Sequence, residues 1–417
     1  MKSTIYAPLR LVAFFTLLLF LSVMSACAQS QPSQSPQAQS AQATGQGVQQ
    51  SSEQPADPTA PSAGSSPGSS AGSSAGSSAG SSAEPPEAPP AQAPVTREIT
   101  DMAGRTMTVP ATIDRVFSTI PNAAIYLYTL APDKLMGWNY DLNAVERSVI
   151  LEKYHGLPVF GMGDAMNYEA IIAAQPDVAL SVGALNAGAI DQADKLSESL
   201  GIPVVMVSVQ LEAAPSVYRF LGDLLQCEED AEKLALYAER TFRDISDMDI
   251  RDEDKVRIYY GNGEDSLETA PAGASSAQII DLVNGVNAAD LELGDGNRIR
   301  ISLEQLLAWN PDVIIVNGEP RANLTGGAAA DGILAGNDYA SLKAVQNRMV
   351  FGTPNAPFSW IDRPQGPNRI IGLRWLAKLV YPDYFAYQVD DEVREFFRLF
   401  YHLELDDAKL AEVYRGF

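Results

Sequence analysis

The chain is poor in the residues that most catalytic and metal sites use. It has two cysteines and two histidines among 417 residues. Neither His155 nor His402 has a His or Cys companion at a spacing that would ligate a metal. No Gly-x-Ser-x-Gly elbow, His-Glu-x-x-His motif or phosphate-cradling loop is present. We therefore predict that the chain is not an enzyme, that it needs no cofactor, and that its own side chains bind no metal ion.

Basic residues are also few. The chain has 29 Lys and Arg against 52 Asp and Glu, a formal net charge of −23. A surface with this balance repels nucleic acid and anionic lipid headgroups, so neither is expected as a partner of the folded part.

Residues 1–27 have the pattern of an export signal. Lys2 and Arg10 precede the apolar run 11–23, and Ser25-Ala26 leads to Cys27. This pattern resembles a bacterial lipoprotein signal, in which Cys27 becomes the lipidated first residue. The alternative, an uncleaved membrane anchor, would need about 20 apolar residues. If Cys27 is lipidated, Cys227 has no disulfide partner and is most simply a small core residue.

Residues 28–95 contain almost no large apolar side chains. They consist mainly of Gln, Ser, Ala, Pro and Gly, with a repeated Gly-Ser-Ser-Ala unit. Such a segment cannot bury a core, so we predict a disordered tether with a root-mean-square reach of about 45 Å.

The remaining residues alternate short apolar runs with helical patterns. Ile99 to Val109 predicts a hairpin with its turn at Ala103-Gly104. Further strands are predicted at 115–119, 134–138, 157–161, 178–182, 204–207, 256–260, 313–316 and 349–351, and helices at 122–130, 368–379 and 392–400. Strands that alternate with helices favour an α/β fold with mainly parallel sheets.

One long helical pattern divides this region. Apolar residues recur at helical spacing from Ala214 to about Met248, without Pro after Pro215 or Gly after Gly222. We predict two α/β lobes, at 97–213 and 254–417, joined by one long rigid helix at 214–247.

A twelve-residue pattern occurs once in each predicted lobe. Glu169-Ala-Ile-Ile-Ala-Ala-Gln-Pro-Asp-Val-Ala-Leu is matched by Glu304-Gln-Leu-Leu-Ala-Trp-Asn-Pro-Asp-Val-Ile-Ile. Each copy predicts a short helix, a Pro-Asp turn and a buried strand. Each Glu follows a plausible N-cap, Asn167 or Ser302, by two residues.

The ordered set of motifs resembles the substrate-binding proteins of ABC importers for iron–siderophore, haem and vitamin B12, the class with a helical backbone. The opening hairpin, Leu135-Met-Gly, the two Glu…Pro-Asp segments and Arg348-Met-Val-Phe follow one another as in that family. The resemblance implies that the ligand binds in a cleft between the lobes, and that Glu169 and Glu304 dock into arginine pockets on the two permease subunits. The alternative is that each carboxylate only stabilises its helix dipole.

Ligands of such folds meet the loops at the carboxyl ends of parallel strands. These loops offer amides, aromatics and two arginines, and the candidate ligand-binding residues are Asn122, Tyr140, Trp360, Arg363 and Arg369. Two alternatives stay open: Trp360 as a core residue, and Asp362 as a surface partner of Arg363 or Arg369.

The sequence therefore predicts an extracytoplasmic, lipid-anchored, substrate-binding component of an ABC importer that delivers its cargo to a permease dimer and its ATPase. A ferric siderophore is the first expectation for the cargo, with haem or a corrinoid behind it. The alternatives are an oxyanion such as molybdate, held by Arg363 or Arg369, or a surface adhesin or sensor that reuses the fold.

Overall fold

The computed structural model describes residues 95–292, 298–318 and 324–415. The chain divides into two units, 1–86 and 87–417, and every described residue belongs to the second. The predicted signal, Cys27 and the tether up to residue 94 lie outside the described residues. Among the described helices, none is long and apolar enough to cross a membrane.

The first lobe is a hairpin followed by a three-stranded parallel sheet. The predicted hairpin is formed by β1 (Thr96–Thr100) and β2 (Thr106–Pro110), and Gly104 in its turn has a φ of +80°. The sheet has the order β3-β4-β5, and Val116 pairs with Val178. Its strands are β3 (Val116–Ser118), β4 (Val178–Gly183) and β5 (Val204–Ser208), and its helices are α1 (Pro121–Leu130), α2 (Ala144–Val149), α3 (Tyr168–Ala173) and α4 (Ala187–Leu200).

Both faces of this sheet are buried. Side chains alternate along a strand, so Val178 and Leu180 join the main core while Ala179, between them, packs in a separate cluster with Phe117 and Phe160. Helices that cover both faces are typical of a parallel sheet. The strands predicted at 134–138 and 157–161 form only isolated bridges, from Leu135 to Val116 and from Trp138 to Val159.

The stretch predicted as one helix at 214–247 is two helices, α5 (Ala214–Leu225) and α6 (Glu228–Ser246). The break is at Gln226, which has a left-handed φ of 58°. The two helices pack against each other, and a Cβ at Gly222 would lie 2.5 Å from the Cβ of Ala231. The glycine thus allows the close approach that the helical pattern did not reveal, and α6 alone leads on to the second lobe.

The second lobe contains a four-stranded parallel sheet of order β11-β10-β6-β8. The second copy of the duplicated pattern forms the helix at 303–309 and the strand at 313–316, as the sequence predicts. The strands are β6 (Arg257–Gly261), β7 (Glu268–Thr269), β8 (Val286–Asn287), β9 (Ile299–Arg300), β10 (Val313–Val316) and β11 (Val350–Gly352), of which β7 and β9 form a separate antiparallel pair. The helices are α7 (Gln278–Leu282), α8 (Leu303–Trp309), α9 (Gly326–Ala335) and α10 (Lys343–Gln346).

The last helices tie the folded unit together. They are α11 (Asn368–Val380), α12 (Val389–Phe400) and α13 (Asp407–Arg415). Phe400 packs against Tyr218 of α5 and Tyr237 of α6, with ring centroids 5.7 and 5.5 Å apart, and Tyr401 lies 5.8 Å from Tyr128 of α1. These C-terminal helices therefore contact the connecting helices and the first lobe, not only the lobe from which they come.

Candidate ligand cleft and docking acids

Three of the loops predicted to line the cleft, at 118–122, 138–140 and 355–360, meet around a small recess. The recess has a cavity volume of only about 10 Å³, room for about one water molecule, and is lined by Pro121, Ala124, Ile125, Trp138, Asn139, Tyr140 and Phe358. The first six residues belong to the first lobe, and Phe358 comes from the loop that follows β11. The sequence predicted that these loops share a site, because each follows the carboxyl end of a strand. The structure brings them together.

The N-terminus of α1 faces this recess. Pro121 is its first residue, no side chain caps it, and its first turn contains no acidic residue. The amide groups of an uncapped first turn carry a partial positive charge. Asn122, a predicted ligand-binding residue, lies in this turn and is partly exposed. The end of α1 thus makes this part of the cleft favourable for a negative charge.

Arg369 lies at the junction of the two lobes. Its side chain is 1% exposed, and its guanidinium donates to the carbonyl oxygens of Val209 in the first lobe and Ser275 in the second, at 3.3 and 3.2 Å. Nε has no hydrogen-bond partner, and no carboxylate of the described residues forms an ion pair with this side chain. Asp362 and Glu212 raise the pKa of Arg369 only through longer-range electrostatic attraction.

The environment of Arg369 opposes its charge. Burial lowers the pKa of Arg369, and burial raises the pKa of the neighbouring Tyr126 to about 12 although the guanidinium lowers it. A buried guanidinium without a bound counter-charge is costly, because its hydration is lost and only neutral carbonyls replace it. Of the two predicted arginines, this one is buried and lacks a carboxylate partner among the described residues.

The prediction that Trp360 stacks on a ligand is wrong in this structure. Trp360 is fully buried, its indole N–H donates to the carbonyl oxygen of Ala356 at 3.0 Å, and its ring packs on Phe397. Gly372 of α11 lies so close that a Cβ there would be 1.7 Å from the Trp360 carbonyl oxygen. The alternative held open from the sequence, a core role, is the one that the packing supports.

Asp362 is likewise not the surface residue considered from the sequence. It is fully buried, forms a close ion pair with Arg298, and accepts a hydrogen bond from Tyr260 at 3.3 Å. Arg363 is the weaker partner: 57% of its side chain is exposed, and its Nε lies 3.9 Å from Oδ1 of Asp362. Arg298 follows a polar stretch without a clear pattern, so nothing in the sequence identified it as the partner.

Tyr140 lines the recess and is held by a carboxylate. Its hydroxyl donates to Oε1 of Glu146 at 2.8 Å, while Oε2 of Glu146 accepts from the Asn143 amide as part of a capping box. Burial raises the pKa of Glu146, and burial together with this carboxylate raises that of Tyr140. The ring of Tyr140 is therefore fixed beside the recess, as its predicted ligand-binding role requires.

The histidines are used within the fold. The ring nitrogen Nε2 of His155 lies 2.6 Å from the Ile150 carbonyl oxygen, and that of His402 lies 3.3 Å from the Tyr128 carbonyl oxygen. In the described part of the chain, no group of three or more His, Cys, Asp or Glu side chains could hold a metal ion.

The duplicated segments have the same local structure in both lobes. Asp177 accepts from the amide of Arg115 at 2.8 Å, and Asp312 accepts from the amide of Arg257 at 2.9 Å, so each aspartate pins the start of the neighbouring strand. The residue before each proline has a positive φ. The Pro-Asp part of the repeat is therefore explained by folding.

The two glutamates are not used in this way. Asn167 and Ser302 cap their helices as predicted, accepting from the amides of Ala170 and Gln305. Glu169 and Glu304 are both exposed, and neither forms an ion pair with a described residue. Hydrogen bonds from its own amide and from Ser302 lower the pKa of Glu304. Both carboxylates thus remain available at the surface of their lobes.

The chain is similar to known transport proteins. The family described as periplasmic binding protein matches residues 134–357, more than half of the chain. The molybdate-binding protein MolA of Haemophilus influenzae is 24% identical over 339 residues, which cover 73% of this chain and 91% of that protein.

The chain is also similar to solved structures of solute-binding proteins. An ABC transporter solute binding protein from Sulfurospirillum deleyianum is 26% identical, with a TM-score of 0.68 over 77% of this chain and 99% of the other. A periplasmic solute binding protein from Veillonella parvula has a TM-score of 0.62 at 23% identity, over 77% and 97% of the two chains. With its two α/β lobes and connecting helix, the chain belongs to the helical-backbone periplasmic binding proteins, and it is an extracytoplasmic, non-enzymatic substrate-binding component of an ABC transporter.

Proposed function

We propose that the cargo is a small oxyanion such as molybdate, bound between the lobes with Arg369 as its main counter-charge. The observation that carries this proposal is the buried guanidinium, which lacks an ion-pair partner among the described residues and still has an unpaired Nε. Arginine is well suited to this role because its planar N–H groups match the oxygens of an oxyanion. Contacts with both lobes would let one anion hold them together.

The surroundings favour the same charge and size. The uncapped N-terminus of α1 carries a partial positive charge, and the buried hydroxyl of Thr119, just before α1, has no hydrogen-bond partner. The recess is small, and its aromatic residues are held by other contacts of the fold. The name of the Haemophilus influenzae relative, a molybdate-binding protein, is consistent with this cargo.

A ferric siderophore, with haem or a corrinoid behind it, is the second candidate. Such a ligand also carries negative charge in many cases, but it needs broad aromatic contact and a wide cleft. Of the two aromatic residues predicted to contact a ligand, Trp360 is buried and only Tyr140 lines the recess. The oxyanion therefore has more support from the described residues.

Isothermal titration of the purified protein with molybdate, a ferric siderophore and haem would test the cargo. We expect saturable binding of molybdate at a one-to-one ratio, with competition by other tetrahedral oxyanions. Binding of the siderophore or haem without binding of molybdate would refute the proposal.

We also propose that Glu169 and Glu304 dock the two lobes onto a permease dimer with its ATPase, and that a lipid on Cys27 keeps the protein at the membrane. Carboxylate–arginine pairs at such an interface mainly set orientation and encounter rate. Glu169→Ala with Glu304→Ala should abolish uptake and leave the cargo Kd unchanged. Unchanged uptake would rule out the docking role.

A further inference from the structure

An exposed apolar patch surrounds one of the two docking acids. We define the lobe-one patch as Val159, Met162, Tyr168 and Ile172, with exposures of 42, 44, 41 and 50%. Large apolar side chains scattered singly on a surface need no explanation, but a group of them around a charge typically marks a contact site.

The local structure places the patch beside Glu169. Tyr168 and Ile172 are four residues apart on α3, so their side chains lie on one face of it, next to Glu169. The chain just before α3 is held close to it, since the Asn167 amide donates to the Phe160 carbonyl oxygen at 2.8 Å. Phe160 is buried, so its neighbour Val159 points outward. The segment that carries Val159 and Met162 therefore runs beside the start of α3, where Tyr168, Glu169 and Ile172 lie.

No such apolar patch surrounds Glu304 among the described residues of the second lobe. In the duplicated pattern Tyr168 corresponds to Leu303 and Ile172 to Leu307, and both leucines are only partly exposed. Leu307 packs against the core of its own lobe. Among the described residues of 257–352, no large apolar side chain is exposed to the extent seen in the patch. The acid is duplicated, but the apolar surface is not.

We propose that the two lobes contact the permease in different ways. Lobe one binds through the patch, against an apolar area of one subunit that surrounds a basic side chain, and lobe two binds through the charge of Glu304. Buried aromatic and aliphatic residues carry most of the affinity of an interface, whereas charges at a rim mainly set rate and orientation. Most of the affinity for the transporter therefore comes through lobe one. This inference rests on the proposed docking role.

Binding of the full-length protein to its permease–ATPase complex in nanodiscs would test the asymmetry. Tyr168→Ser with Ile172→Ser should raise the Kd about tenfold or more, and Met162→Ser alone should raise it less. The matched control is Leu236→Ser with Tyr384→Ser, because these side chains are as exposed, at 52 and 49%, but lie elsewhere. This control should stay within about twofold of the wild type.

The outcomes separate this inference from the docking proposal. If the patch variant binds within about twofold of the wild type while Glu169→Gln weakens binding, the docking role stands and the asymmetry is wrong. If the wild type does not bind the complex at all, both are wrong. Circular dichroism and the molybdate Kd of each variant would show that folding and cargo binding are intact.

Discussion

Replacing Arg369 with methionine tests the proposed cargo site most directly. Methionine keeps much of the buried volume but removes the charge and the N–H donors. A hydrogen bond between charged groups contributes about 1.5–3 kcal/mol. Losing one such contact to the bound anion should therefore raise the Kd for molybdate about 10- to 150-fold.

The same substitution should change folding stability much less. It removes a guanidinium whose burial costs several kcal/mol, and it leaves the carbonyl oxygens of Val209 and Ser275 without their donor, at about 1–3 kcal/mol each. These effects oppose each other, so we expect the free energy of unfolding to change by less than about 2 kcal/mol. A strong effect on binding with a weak effect on stability would identify a ligand-binding residue.

The assay is isothermal titration with molybdate, together with chemical denaturation with and without it. At a concentration 100 times the Kd, a ligand adds about 2.7 kcal/mol to the stability of the wild type, and the variant should lose about half to nine-tenths of this gain. Arg363→Met is the matched control because that side chain is exposed, and its Kd should stay within about twofold. An unchanged Kd in Arg369→Met, or an equal loss in both variants, would refute the reasoning.

Three further predictions concern the fold around the cleft. Gly222→Ala should destabilise the protein by about 1–3 kcal/mol in urea denaturation, because the new Cβ would press on α6; in contrast, Gly332→Ala, a helical position with nothing within 4 Å, should stabilise it by about 0.5–1 kcal/mol. Burial raises the folded pKa of Glu146 above 4.5, so the stability that the protonated carboxyl contributes is complete below that pH and is lost as the pH rises through the folded pKa. Glu146→Gln should remove this loss. Parallel curves of stability against pH for the wild type and the variant, from pH 4 to 8, would contradict the prediction. Arg374→Met should cost about 3–5 kcal/mol, since that side chain is 1% exposed and pairs with two carboxylates. Arg219 also pairs with two carboxylates, but its side chain is 40% exposed, so Arg219→Met should cost less than about 1 kcal/mol; equal losses of thermal stability would contradict the difference.

The elements with strong local signals could be predicted closely. β5 and α1 lie within one residue of their predicted bounds, the hairpin begins three residues before its predicted start, and both helix caps before the glutamates were identified. Their signals are turn chemistry, alternation and capping residues, which act over a few neighbours. The break at Gln226 was missed because a left-handed residue other than Gly or Asn leaves no local signal.

The sequence by itself determined the class of fold, the duplicated helix–turn–strand unit and the exposed acid at the start of each copy. Only the tertiary structure decided which cleft candidates are accessible and which are buried. The carbonyl acceptors of Arg369 are 94 and 160 residues away in the chain, and Trp360 is enclosed by α11 and α12. Burial is a property of surfaces that pack from distant segments. Packing therefore placed Trp360 in the core, paired Asp362 with Arg298, and left Arg369 without an ion-pair partner among the described residues.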